Sequence, residues 1–146
     1  MIPQQPLQAA TALLQAGFAV VPTVNRSRDI RVTGWPDLHL TLDELPLHFN
    51  GAEQNISINW KGSGGRCALD LDATEAEELA PLLLPRDTPA FGRAGRLRQI
   101  VFECTDAASF SLKHDGEMLV EVLAGGSASL APGSVQPEGD LVQWCS

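Results

Sequence analysis

The chain has 146 residues, with 10 Lys+Arg against 18 Asp+Glu, a net charge of −8 and a pI near 4.7. That length fits one domain over residues 1–146, and 44% apolar content is enough for a packed core and excludes a disordered chain. So acidic a chain is no generic coat for nucleic acid, and handling nucleic acid would require a local basic cluster or bound metal.

Leu7, Ala10, Leu13 and Leu14 recur at helical spacing and predict a helix over residues 6–16, stopped by Gly17. Residues 18–24 are β-rich and predict a strand. Residues 25–34 read as a polar loop carrying Arg26, Arg28 and Arg31. Thr41 and Glu44 have the spacing of a capping box ahead of Leu45, Leu47 and Phe49, and Pro46 keeps that helix short. Residues 55–60 alternate as a strand, residues 62–65 form a glycine-rich turn and residues 66–72 form a second strand. Thr74 and Glu77 suggest another capping box, opening a helix that ends by Pro85. Beyond Thr88 the pattern changes to strands at 98–104, 109–113, 117–123, 127–131 and 140–144, with Asp115-Gly116 as a hairpin turn. Helices and strands followed by an antiparallel meander predict the α+β class.

The three cysteines, Cys67, Cys104 and Cys145, contain no CxxC pair, so neither a disulfide framework nor a zinc knuckle is expected. A reducing, cytoplasmic setting is the simple expectation. Residues 1–20 show no secretory signal, and no apolar run approaches the roughly 18 residues of a membrane span.

Three features carry candidate chemistry. Asp70 and Asp72 lie two apart on a predicted strand, so both carboxylates share one face at a rise of roughly 6.6 Å. Like charges held there require a cation or a proton, and such a pair suits Mg²⁺ or Mn²⁺; a solvated strand end is the competing reading. Glu121 sits in Met118-Leu-Val-Glu-Val-Leu123, a segment apolar enough to predict burial on both faces. Its charge then needs either a basic partner or a metal shared with Asp70 and Asp72. Arg93, Arg96 and Arg98 cluster within six residues among glycines, which suits phosphate oxygens, or else an exposed basic turn. His39, His48 and His114 read as surface residues.

These residues resemble a family. Asn55-Ile-Ser-Ile-Asn-Trp-Lys-Gly-Ser-Gly-Gly-Arg-Cys-Ala-Leu-Asp-Leu-Asp72 is similar to the N-I-G-V…G…S-G-G…D-x-D block of primase–polymerases of the archaeo-eukaryotic primase superfamily. Leu119-Val-Glu-Val, Gly125-Gly126, Ala131-Pro-Gly-Ser134, Pro137-Glu-Gly139 and Trp144 resemble its closing block, and Gly17-Phe-Ala-Val-Val-Pro22 with Gly34-Trp35 resembles its start. The likeness runs in the family's order over residues 8–145. It implies an RRM-like antiparallel sheet with an N-terminal α/β part, in a replication protein of a phage, plasmid or other mobile element. It implies Asp70, Asp72 and Glu121 as catalytic metal ligands, and Arg93, Arg96, Arg98 and Ser134 beside a nucleoside triphosphate. Arg26, Arg28, Lys61 and Arg66 would then contact a DNA template, with a helicase or another replication protein as partner. The chain also departs from the pattern. Gln99 or Ile100 stands where the family carries a histidine, Pro132-Gly-Ser-Val-Gln136 lacks a second one, and Asn25-Arg-Ser-Arg28 replaces a lysine loop. The alternative implied is a catalytically degenerate domain that binds nucleic acid or a replication partner.

Overall fold

A computed structural model describes residues 5–51, 53–93 and 98–145. The described residues form three α-helices and nine strands, all pairing antiparallel, an α+β arrangement. None of these helices is long and apolar enough to cross a membrane.

Helix α1 (Pro6–Gln15) buries Pro6, Ala9, Ala10 and Leu13, the one-face spacing read from sequence. Gly17 at φ +95° ends it. There the Gly17 and Phe18 amides donate to the Leu14 and Leu13 carbonyls, a Schellman closure. Strand β1 (Ala19–Val24) pairs with β2 (Gln54–Asn59), and β2 with β8 (Ala128–Leu130), making a three-stranded sheet. Helix α2 (Leu45–His48) is a single turn. Just before it, Glu44 accepts from both the amide and the hydroxyl of Thr41, the return half of the expected box. The second expected box is absent: α3 (Thr74–Leu83) has Ala73 as its N-cap, with no side-chain cap.

The second sheet has six strands in the order β6-β7-β3-β5-β4-β9. They are β3 (Arg66–Leu71), β4 (Ala90–Gly92), β5 (Arg98–Glu103), β6 (Phe110–His114), β7 (Glu117–Leu123) and β9 (Gln143–Cys145). A sequential meander was expected, but β3 is inserted between β5 and β7. Leu69 and Leu71 pack on one side with Ala80, Ile100 and Val120 under α3, while Ala68 joins the main core on the other. A central strand buries both sets at once, so the sheet closes around β3. Of the nine described strands, β4 alone has no counterpart among the expected ones.

The main core draws on α1 and both sheets, including Val20, Ile56, Ile58, Trp60, Ala68, Phe91 and Val101. Strand β7 is half-buried along most of its length, not buried on both faces as expected. It lies next to the exposed edge strand β6, where covering layers thin out. The β6–β7 turn has Asp115 at φ +49° and Gly116 at φ +78°, the type I′ geometry its Asp-Gly pair favours.

Candidate metal centre

Register assembles the site. Asp70 on β3 lies opposite Glu121 on β7 and opposite Gln99 on β5. Directly paired residues project to the same face, so three side chains from three strands form one row. The row extends to Ser111 on β6, Phe91 on β4 and Trp144 on β9. Asp72 lies just past the end of β3, but its amide donates to the Leu119 carbonyl at 2.9 Å. That bond continues the ladder and keeps Asp72 on Asp70's face.

One carboxylate oxygen from each of Asp70, Asp72 and Glu121 lies within 4.8 Å of the others. Two oxygens bound to one ion at about 2.0–2.6 Å can be at most about 4–5 Å apart. The triad therefore fits a single divalent ion, and its all-oxygen donor set suits a hard cation. Asp72 Oδ2 and Gln99 Oε1 are buried without a hydrogen-bond partner among the described residues. Among the described residues, no cation forms an ion pair with any of the three acids.

The acids open into a cleft of about 300 Å³. Its walls include Gln99, Phe91 and Arg93 from the six-stranded sheet's side, and Arg28, Gln136 and Ser129 from the loops and β8. Burial pushes the Asp70 carboxyl up to about 7, with the charges of Asp72 and Glu121 adding to the rise. The Arg28 guanidinium and a donated hydrogen bond from Gln99 draw it partly back. Asp72 is raised as well, by burial and then by Glu121. Apo, the cluster favours a retained proton; a divalent ion would replace it.

The basic residues divide. Arg28 faces the acids and its Nη2 donates to Gln136 Oε1 at 3.1 Å. Arg93 lines the cleft, but its Nη1 is 3.2 Å from Asp140 Oδ2 and 3.5 Å from Glu138 Oε2. Arg98 precedes Gln99 and so projects from the other face, where its Nε lies 3.8 Å from Glu77 of α3. Arg96 lies outside the described residues. Arg26 is exposed, at φ +52°, near Gly139. Lys61 pairs with Asp37 on the surface. Arg66, at the far end of β3, lies over the Phe18 ring at 4.7 Å and donates to the Ala16 carbonyl. Among the described residues, then, Arg28 and Arg93 are the basic side chains that line the acids' cleft. Lys61 and Arg66 do not line it.

Ser134 does not line the cleft. It is fully buried, and its hydroxyl accepts from the Ile56 amide and donates to the Ile56 carbonyl, both at 2.9 Å. Asn55 is a positioning residue the motif reading passed over. Its amide nitrogen donates to the Ser27 and Val135 carbonyls and its oxygen accepts from the Val135 amide. It thereby ties the Arg28 loop to the Gln136 loop across the cleft mouth. Its signal was the polar set Asn55, Ser57 and Asn59 alternating with Ile56 and Ile58, all of which are buried. Of Gln99 and Ile100, Gln99 faces the acids and Ile100 packs under α3.

Fold and site together define an α+β protein with a candidate centre for a divalent cation. No family model matches the chain, and no curated protein matches it.

Proposed function

We propose that this chain is a divalent-metal-dependent nucleotidyltransferase that primes DNA synthesis, a primase–polymerase of a phage, plasmid or other mobile element. The observation that carries the reading is the convergence of Asp70, Asp72 and Glu121 in a cleft that also holds Arg28 and Arg93. The ordered motifs over residues 8–145 and an antiparallel sheet bearing the acids agree with the family's RRM-like core. On this reading the substrates are nucleoside triphosphates, the template is DNA, a helicase is a natural partner and the setting is cytoplasmic.

Asp70, Asp72 and Glu121 would hold Mg²⁺ or Mn²⁺. An ion held by these acids would supply Lewis-acid chemistry, lowering the pKa of a primer 3′-hydroxyl and offsetting charge on the departing pyrophosphate. Arg28 donates to triphosphate oxygens from beside the acids, so charge neutralisation and alignment come from the chain itself. Arg93 reaches the same phosphates once it exchanges Glu138 and Asp140 for them. Asp70→Ala is expected to abolish Mn²⁺-dependent primer synthesis on single-stranded DNA. Template-directed synthesis that persists in this variant overturns the reading.

One observation favours a second reading, a degenerate domain that binds without synthesis. Arg93 already pairs with two acids and Arg98 faces Glu77, leaving Arg28 as the cleft arginine without an acidic partner among the described residues. A triphosphate titration with and without Mn²⁺ separates the two. Absence of metal-dependent binding favours the degenerate domain.

A further inference from the structure

Three arginines meet one loop at the mouth of the acids' cleft. Residues 136–140 form a tight turn, in which the Gln136 amide donates to the Asp140 carbonyl at 2.8 Å and the Gly139 amide to the Gln136 carbonyl at 2.9 Å. Val135 and Leu141 bridge just outside it, and Asn55 of β2 bonds both backbone groups of Val135. The turn thus presents its side chains from a fixed base. Gln136 Oε1 accepts from Arg28, while Glu138 and Asp140 both accept from Arg93. An added Cβ at Gly139 would lie 3.3 Å from Arg26 Nη2. A guanidinium takes carboxylate and phosphate oxygens by the same geometry, so the two acids occupy Arg93 as a phosphate would.

The hold is built to be exchanged. Both acids use one nitrogen, Nη1, at 3.5 Å for Glu138 and 3.2 Å for Asp140, against about 2.7–2.9 Å for a strong charge-assisted bond. Glu138 and Asp140 are 64% and 51% exposed, so water takes over when either loses its partner. Arg93 is only 25% exposed, and a mostly buried cation is costly to leave without an anion. We infer that Glu138 and Asp140 compete with the ligand for Arg93: they keep it paired when no ligand is bound and yield it to a phosphate chain. This regulation rests on reading the cleft as a triphosphate site. Neutralising the two acids therefore tightens ligand binding, the opposite of what a supporting ion pair would show.

The test is calorimetric titration with dATP and Mn²⁺ at low salt. The chains are wild type, the pair Glu138→Gln with Asp140→Asn, Arg93→Ala, and all three changes together. Glu75→Gln with Glu78→Gln, exposed acids of α3, removes the same charge elsewhere as a control. Apo melting curves check that each variant is folded. The loop pair is expected to bind dATP about fivefold more tightly than wild type, and the control within twofold. In the Arg93→Ala background the loop changes should shift affinity by less than twofold. A gain that persists without Arg93 is long-range charge alone and overturns the inference. So does a loop pair that binds no more tightly than wild type. A parallel titration with single-stranded DNA, without dATP, separates the two sources of phosphate: a gain for DNA and none for dATP assigns Arg93 to a nucleic-acid backbone and also overturns it. Failure of the underlying reading looks different, because then no chain in the series binds dATP with Mn²⁺, and both proposals fall.

Discussion

Asp70→Asn removes one charge from the row while keeping its shape and hydrogen-bonding capacity. In the folded chain the Asp70 carboxyl titrates near 7, against an ordinary value of 3.8. Between those two values the folded protein holds a proton that the unfolded chain has released. Stability therefore falls as pH rises through that window and levels off above pH 7. At about 1.4 kcal/mol for each pH unit of difference, the full cost approaches about 4 kcal/mol. Sharing of the proton with Asp72 and Glu121 lowers this, and about 2–4 kcal/mol is expected. Asparagine carries none of it. In EDTA at pH 8 the variant should thus melt roughly 5–15 °C above wild type, and at pH 4 the two should nearly coincide. Saturating Mn²⁺ should raise the wild-type melting temperature and leave the variant unmoved. Thermal melts followed by far-UV circular dichroism measure all four conditions. A variant no more stable than wild type at pH 8 in EDTA would refute the claim that these acids converge in a buried, repelling cluster.

Mn²⁺ affinity should fall about fivefold from pH 7 to pH 6, because Asp70 titrates near 7 and must lose its proton for each ion bound; a flat calorimetric pH profile contradicts this. Ser134→Ala should destabilise the fold by about 1–3 kcal/mol, read by urea denaturation, since it takes the hydroxyl acceptor from the buried Ile56 amide while the Ile56 carbonyl keeps the Ala131 amide, and it should leave Mn²⁺ affinity unchanged. Gly133→Ala should lower the melting temperature sharply, because the residue sits at φ +97° and an added Cβ would lie 2.6 Å from the Ala9 Cβ. Arg28→Ala should weaken Mn²⁺-dependent triphosphate binding, with a smaller deficit at high salt; equal affinity at low salt would remove Arg28 from the phosphate site.

Much of this protein is legible along the chain. Helix α1 and its stop at Gly17, the β6–β7 turn at Asp115-Gly116 and the shared face of Asp70 and Asp72 are local properties, set by side-chain period and backbone freedom within a few residues. The charge of −8 excluded a generic nucleic-acid coat and left a local basic cluster or bound metal as the ways to handle nucleic acid, without saying where either lies. Glu121 was legible as a problem, a charge in an apolar strand, while its solution depended on β7 lying beside β3. The choice between Gln99 and Ile100 and the turning of Arg98 away from the acids were decided by strand register, while the cleft position of Arg28 and the structural use of Ser134 were decided by how their loops bond to β2. A shift of one residue exchanges every side chain between the two faces of a sheet, and no local pattern in β5 fixes that phase. The phase is set by burying Ala68 and Val101 on one face and Ile100 and Phe102 on the other, contacts that exist only once β3, β5 and α3 have packed together.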